Sequence, residues 1–286
     1  MAGMTIGKFA VVSTLGTGAH STILQIRRNA DLKPYALKIV PIDDEEELKF
    51  LDQARHEFRV AQMLDHPNLI KIYALETVRD WLFRIRKVHL LIEYVEGKTL
   101  DTFGRFPIPK LVQIFERIAS AMVQMHRRNV CHSDLKPNNV LLSKRGQVKI
   151  IDYGLARIKG EGGSRVQGTP EYMAPEQAKH GRVNEQTDIY NFGAMMYRLV
   201  AWRLPPNPVK EAESGLPLDA KLWRLALKPV EECNREAPTA LCELIHRCLP
   251  FHPSERPERA SEIQGALDHL VDELVQSPGD KLEAIE

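Results

Sequence analysis

Nine consecutive residues, Cys131-His132-Ser133-Asp134-Leu135-Lys136-Pro137-Asn138-Asn139, hold a carboxylate, an ammonium and an amide close enough to converge in one loop. A short hairpin pattern follows, and its second strand ends on another carboxylate, in Ile151-Asp152-Tyr153-Gly154. Asp134 can act as a base and Lys136 as a cation. Asn139 and Asp152 supply oxygens of the kind Mg²⁺ prefers. Far upstream, Gly16-Thr17-Gly18-Ala19-His20-Ser21 lies between two β-rich runs. Glycines there let the backbone approach an anion with no Cβ in the way, so that N–H groups face phosphate oxygens. No Gly-Lys-Ser/Thr follows, so this is not a Walker A loop. Lys38 sits inside the apolar run Tyr35-Ala36-Leu37-Lys38-Ile39-Val40 and needs a partner if buried. Glu57 is the candidate. Singly, these are hairpin glycines, a lysine on a solvated strand face and polar turn residues. Jointly they describe a nucleotide site at a domain interface.

The elements that must position them follow from periodicity. Strand patterns cover 9–15, 22–28, 34–42, 69–75 and 88–95, and the glycines at 16 and 18 make the first connection a hairpin with an unusual turn. An acidic run over 43–47 precedes a helical stripe over 50–64, and favours that helix's N-terminus. His66-Pro67-Asn68 ends it. The basic and aromatic stretch 78–87 reads as a long hairpin tip or a partner surface. Residues 110–129 form a long amphipathic helix with Leu111, Ile114, Phe115, Ile118, Met122 and Met125 on one side. Short strands are expected at 130–132, 140–142 and 147–152, and helices dominate from about 174 to 275. There is no internal repeat.

Composition closes off other classes. Lys and Arg number 39 against 38 Asp and Glu, and 43% of residues are apolar. That is ordinary soluble usage, too apolar for disorder and too evenly charged for general nucleic-acid binding. No run is long enough for a transmembrane helix, and the first residues lack a secretory pattern. The four cysteines, Cys131, Cys233, Cys242 and Cys248, include no C-x2-C pair, so they read as buried thiols in a reducing cytoplasm.

The motifs, in this order, resemble the catalytic domain of eukaryotic-type (Hanks-type) Ser/Thr protein kinases, most closely bacterial members, over roughly 8–275. Gly16-x-Gly18-x-x-Ser21-x-Ile23 resembles the glycine-rich loop, Ala36-Leu37-Lys38 the third-strand lysine motif and Glu57 its helical partner. Ile92-Glu93-Tyr94-Val95 resembles the gatekeeper and hinge. His132-Ser133-Asp134 through Asn139 resembles the catalytic loop, and Asp152-Tyr153-Gly154 the metal-binding turn. Gly168-Thr169-Pro170-Glu171-Tyr172-Met173-Ala174-Pro175-Glu176 resembles the substrate-facing segment. Arg256 matches the arginine that pairs with Glu176, and Asp188 and Gly193 match the following core helix.

The resemblance implies an α+β, bilobal protein-kinase-like fold: a β-rich N-lobe with one main helix over 1–93, a hinge at 94–98, a mostly helical C-lobe over 99–275 and a flexible tail over 276–286, with the ATP cleft between the lobes. It implies transfer of the ATP γ-phosphoryl group to Ser or Thr hydroxyls of proteins, autophosphorylation included. Lys38, held by Glu57, would grip the α/β-phosphates. Asn139 and Asp152 would hold Mg²⁺, with Mn²⁺ as an option. Asp134 would take the hydroxyl proton, Lys136 would stabilise the moving phosphoryl group, and Thr169 would bond both. The nucleotide would be lined by Leu15, Gly16, Thr17, Gly18, Ala19, His20, Ser21, Ile23, Ala36 and Leu141, with the adenine edge on the backbone of Glu93 and Val95. Expected partners are ATP and protein substrates, with no nucleic acid and no membrane segment, and a homodimer through the N-lobes is one option. The expected compartment is the cytoplasm.

Four departures from the family pattern stand out. Ser133 replaces the arginine that would pair with an activation-loop phosphate, which implies activity independent of phosphorylation at Ser164 or elsewhere in 152–176. Ser21 replaces the third loop glycine. Tyr153 replaces phenylalanine, and its hydroxyl needs a partner. Ala61 is small where relatives carry leucine, which leaves an outward-swung helix open. A nucleotide-binding pseudokinase and a small-molecule phosphotransferase are the rival readings.

Overall fold

A computed structural model describes residues 4–18, 20–44, 46–161, 166–207, 209, 219–275 and 280. The chain divides into two compact units. The first comprises residues 1–65, 70–96 and 152–154. Its sheet contains β1 (Thr5–Ile6), β2 (Phe9–Gly18), β3 (Ser21–Arg28), β4 (Pro34–Pro41), β5 (Ile72–Arg79) and β6 (Ile85–Glu93). All neighbours are antiparallel, in the order β1-β2-β3-β4-β6-β5. One helix, α1 (Leu48–Met63), packs on β4, β5 and β6.

Strand alternation decides which way each side chain of β4 points. Tyr35 and Leu37 join Leu24 and Ile26 in one apolar cluster, with Ile6, Phe9, Val11, Ile39 and Leu91 packed against it. Ala36, Lys38 and Val40 therefore take the opposite face, the one α1 covers. On α1, Leu51, Ala54, Glu57, Val60 and Ala61 are the buried residues, which places Glu57 on the inward stripe.

The second unit comprises 66–69, 97–151 and 155–286. Small strands β7 (Gly97–Thr99), β9 (Val140–Ser143) and β10 (Val148–Ile150) form one sheet, and β8 (Val130–Cys131) pairs with β11 (Arg157–Ile158). Among the described residues its α-helices include α2 (Ile108–Arg127), α3 (Pro175–His180), α4 (Glu185–Ala201), α5 (Ala220–Ala226), α6 (Val230–Cys233), α7 (Thr239–Cys248) and α8 (Ala260–Leu274). All six apolar residues expected on the α2 stripe are buried. α4 is apolar nearly all round and runs through the interior, where Asp188 and Asn191 are its buried polar groups beside Thr187. Among the described residues, no helix is long and apolar enough to cross a membrane.

Three sequence expectations shift. Gly16 and Gly18 lie in strand β2, paired with Ile23 and Ser21, and the turn falls after Gly18. The strand expected at 69–75 begins at Ile72, because Leu69 pairs with Ile150 instead. The stretch 78–87 is the β5–β6 connection with its flanking strand ends. The tail at 276–286, apart from Asp280, falls outside the described residues, as do Ala19 and Ser164.

One close approach is testable by packing alone. A Cβ added at Gly193 on α4 would lie 2.5 Å from the Cβ of Cys248 on α7. Neither atom can rotate away. Overpacking of this kind costs about 1–3 kcal/mol, more than the helix propensity gained by alanine. Gly193→Ala is expected to lower Tm by roughly 5 °C in calorimetry. An unchanged Tm would show that α4 and α7 separate without cost.

Candidate active site

Lys38 Nζ donates to Glu57 Oε2 at 2.7 Å. Burial works against the Lys38 ammonium, but Glu57 and Asp152 outweigh it and hold the lysine above its ordinary pKa. Burial pushes the Glu57 carboxyl up; Lys38 opposes this and Asp152 adds to it, leaving it above the usual carboxylate range. Removing either partner would strand a buried charge. The contact is made despite the small Ala61, which is itself buried on α1.

Asp152 has φ +66, a strained value for an aspartate. Its Oδ1 accepts from Gly154 N at 3.1 Å. The Tyr153 hydroxyl finds its partner in Ile70 O at 3.0 Å, so the ring is fully buried without an orphaned oxygen. A Cβ at Gly154 would lie 2.9 Å from Gln53 Nε2 of α1. One turn earlier on α1, His20 stacks on Phe50, with ring centroids 4.1 Å apart. α1 thus touches the glycine-rich hairpin, the β4 lysine and the Asp152 turn. The sequence pattern had no signal for the His20–Phe50 stack or the Gln53 contact.

The remaining expected nucleotide residues of this unit follow the sheet. A Cβ at Gly16 would meet nothing within 4 Å, so the loop backbone is bare there. Leu15 is exposed; Thr17 and His20 are exposed as well, and Ser21 and Ile23 are half-buried. Ala36 is buried, and Glu93 and Val95 are half-buried at the end of β6 and beyond it. Glu93 N donates to Lys71 O at 2.8 Å.

In the second unit, the loop after β8 is built around α4. His132 N donates to Asp188 Oδ2 and Ser133 N to Oδ1, each at 2.8 Å. His126 Nε2 lies 2.9 Å from Asp188 Oδ2. This buried carboxylate holds the loop at Ser133, whose φ is +69, and the next residue, Asp134, is itself buried. Asp134 is ringed by donors: Thr169 N at 2.8 Å to Oδ1, and Lys136 Nζ at 2.7 Å and Asn139 Nδ2 at 3.2 Å to Oδ2. Lys136 Nζ also donates to Thr169 Oγ1 at 2.5 Å. Asn139 Nδ2 bonds Asp134 O at 2.8 Å, so the amide oxygen is the group it presents to a cation. Leu141 is half-buried on β9. Asp134, Lys136, Asn139 and Thr169 therefore form one hydrogen-bonded group, with Thr169 reaching Asp134 through its backbone and Lys136 through its side chain.

Gln177 had not been singled out from the sequence. Its Nε2 donates to Ser133 O at 2.7 Å and Gln167 O at 2.9 Å, and its Oε1 faces Ala174 N at 3.4 Å and Asn191 Nδ2 at 3.3 Å. The glutamine after Pro175-Glu176 was the available signal. Arg256 donates to Glu176 through Nη1 and Nη2 at 2.8 and 2.9 Å.

The sequence matches the protein kinase domain family over residues 9–270. It is 26% identical over 274 residues to serine/threonine-protein kinase PrkC of Bacillus subtilis, covering 93% of this chain and 41% of that protein. Over 279 residues it is 29% identical to serine/threonine-protein kinase pkn2 of Myxococcus xanthus, covering 91% of this chain and 32% of that protein. Serine/threonine-protein kinase PksC of Streptomyces coelicolor is 30% identical over 266 residues, covering 87% of this chain and 46% of its own length. The chain thus spans less than half the length of these relatives.

Proposed function

This chain belongs to the protein kinase domain family, and from that premise we propose that it is an ATP-dependent Ser/Thr protein kinase, itself among its substrates. The observation that carries the reading is Asp134, a carboxylate held by three donors beside a lysine and a threonine hydroxyl. In the reaction, the substrate hydroxyl oxygen bonds to the γ-phosphorus, the bond from that phosphorus to the β-phosphate oxygen breaks, and the hydroxyl proton passes to Asp134. Lys136 neutralises charge on the moving group. Lys38, kept charged by Glu57 and Asp152, grips the α/β-phosphates. The bare backbone at Gly16 suits close approach of phosphate. Asn139 and Asp152 supply amide and carboxylate oxygens that fit Mg²⁺ or Mn²⁺. When bound, the ion neutralises phosphate charge. Ile23 and Ala36 are the apolar residues of the first unit that suit an adenine face. Four free cysteines fit a cytoplasmic setting.

The test is intact-mass spectrometry of purified protein with Mg·ATP. Phosphates should accumulate on the wild type and be absent from Lys38→Ala. Equal accumulation on both would overturn the reading. Nucleotide-dependent thermal stabilisation of the wild type without any transfer would favour a pseudokinase.

The reading extends to regulation. Ser133 stands where a phosphate-binding arginine would be; its hydroxyl turns inward to Cys131 O at 3.4 Å. Gln177, a neutral amide, ties the loop end at Gln167 to the catalytic loop at Ser133. This tie between Gln167 and Ser133 is made by an amide, and it supports a reading in which no loop phosphate is needed. Phosphatase-treated protein and Ser164→Ala are expected to keep turnover within about twofold of wild type, since no charge-assisted anchor is lost. A drop of tenfold or more in a radiolabelled peptide assay would reject independence from loop phosphorylation.

A further inference from the structure

The β5–β6 connection belongs to none of the machinery above. Trp81 is 84% exposed and Phe83 78%, with Leu82 also exposed between them. Such residues gain nothing from water, and three together at an apex are unlike the scattered surface apolars of an ordinary domain. The turn is nevertheless firmly built. Asp80 Oδ1 accepts from Leu82 N at 2.8 Å and Arg84 N at 3.0 Å. Phe83 N donates to Asp80 O at 3.0 Å, and Asp80 N to Arg84 O at 2.9 Å. Arg79 Nη1 donates to Phe83 O at 2.8 Å, and Arg86 Nε to Asp80 Oδ2 at 3.0 Å. Phe83 takes φ +59, the cost of turning its ring outward. The backbone N–H groups of Leu82, Phe83 and Arg84 are thus satisfied within the turn, which lowers the cost of taking this part of the apex out of water.

Charge surrounds this apex. Arg79, Arg84, Arg86 and Lys87 are all exposed. The neighbouring β4 stops at Pro41, paired with Lys87, and Ile42 N reaches Arg86 O. The tip therefore projects roughly 7 Å past the adjacent strand. The acidic segment from Asp43 lies at the base of this projection, where Arg86 Nη1 reaches Asp43 O at 3.5 Å. A convex apolar point with a basic collar suits a surface that yields to it and is negatively charged. Tryptophan and arginine are the residues that settle at a lipid interface.

We propose that the Trp81-Leu82-Phe83 apex inserts into the interfacial layer of an anionic lipid bilayer, with Arg79, Arg84 and Lys87 meeting the headgroups while Arg86 stays paired with Asp80. The full chain is sedimented with vesicles of phosphatidylcholine alone and of phosphatidylcholine mixed with phosphatidylserine. It should partition to the anionic vesicles only. Trp81→Ala/Phe83→Ala should weaken partitioning at least about tenfold, from loss of two buried aromatic side chains. Arg84→Ala and Lys87→Ala should each weaken it roughly fivefold. The mutated side chains are exposed, so melting temperatures should stay unchanged and folding is controlled. Brominated lipid should quench tryptophan emission in the wild type and much less in Trp81→Phe, since of the other two tryptophans Trp223 is buried and Trp202 half-buried. Failure to prefer anionic vesicles would overturn the proposal and turn attention to a protein partner for the tip. Equal binding by the double variant, or equal quenching in Trp81→Phe, would overturn insertion.

Discussion

Asp134→Asn is expected to lower phosphoryl transfer by about a thousandfold, within the range for loss of a positioned base, while leaving ATP affinity nearly unchanged. The reason lies in the donors that face this side chain. Thr169 N addresses one oxygen, and Lys136 Nζ and Asn139 Nδ2 address the other. A carboxylate accepts from all three. An asparagine has one oxygen, so its NH₂ must turn toward either the Thr169 N–H or the Lys136 ammonium, and each is a donor facing a donor. The substitution therefore removes the proposed proton acceptor and also loosens Lys136 and Thr169. Single-turnover assays at saturating ATP read the chemical step directly, and nucleotide titration monitored by melting temperature reads binding. A rate within tenfold of wild type would show that the proton leaves by another route. Lys136→Ala should fall in the same direction by a smaller factor, because Asp134 keeps two of its three donors.

Arg256→Ala should produce the largest loss of stability. The Arg256 side chain is fully buried. Its two terminal nitrogens bond Glu176 at 2.8 and 2.9 Å, and the same nitrogens reach Gln186 O at 2.9 Å and Phe251 O at 3.0 Å. Nε bonds Pro250 O at 2.9 Å, and the guanidinium lies over the Tyr190 ring at 4.8 Å. Removing it leaves a largely buried carboxylate and three carbonyls without this donor. Breaking such a pair from one side costs about 3–5 kcal/mol, and the planar fork means that lysine is no substitute. For a chain of this size the expected fall in Tm is on the order of 10 °C. Arg256→Lys should recover less than half of it. Glu176→Gln should cost less than Arg256→Ala, because the amide still accepts one bond and the remaining carbonyls keep Arg256 occupied. A Tm within about 2 °C of wild type for Arg256→Ala would mean that the carbonyls are rehydrated at little cost.

Much of this was legible from local pattern. The β4 alternation put Lys38 opposite the Tyr35 and Leu37 face, and the α1 stripe carried Glu57 inward. Their meeting required only that one helix cover one sheet face. The stripe of α2 and the catalytic loop with its Asp, Lys and Asn were equally visible, because each is defined by residues within a turn or two of one another. Local pattern failed where two partners competed for one segment. Residues 69–75 read as one strand, yet Leu69 pairs with Ile150 and the β5 ladder opens at Ile72. It also failed at the glycines, which occupy strand positions outside the turn.

Only the tertiary structure decided which groups answer one another across the chain. Asp188 lies 56 positions from His132, whose N–H it accepts. Gln177 fastens Ser133, and Ile70 O takes the Tyr153 hydroxyl. An exposed Asp, Gln or carbonyl is satisfied by water and carries no instruction in its own neighbourhood. Once folding removes water, each buried polar group must find a protein partner, and that partner is fixed by where the packed elements bring the backbone. The sequence by itself therefore determined which reactive groups the chain carries. Packing of α4 beneath the catalytic loop determined how Asp134 is held.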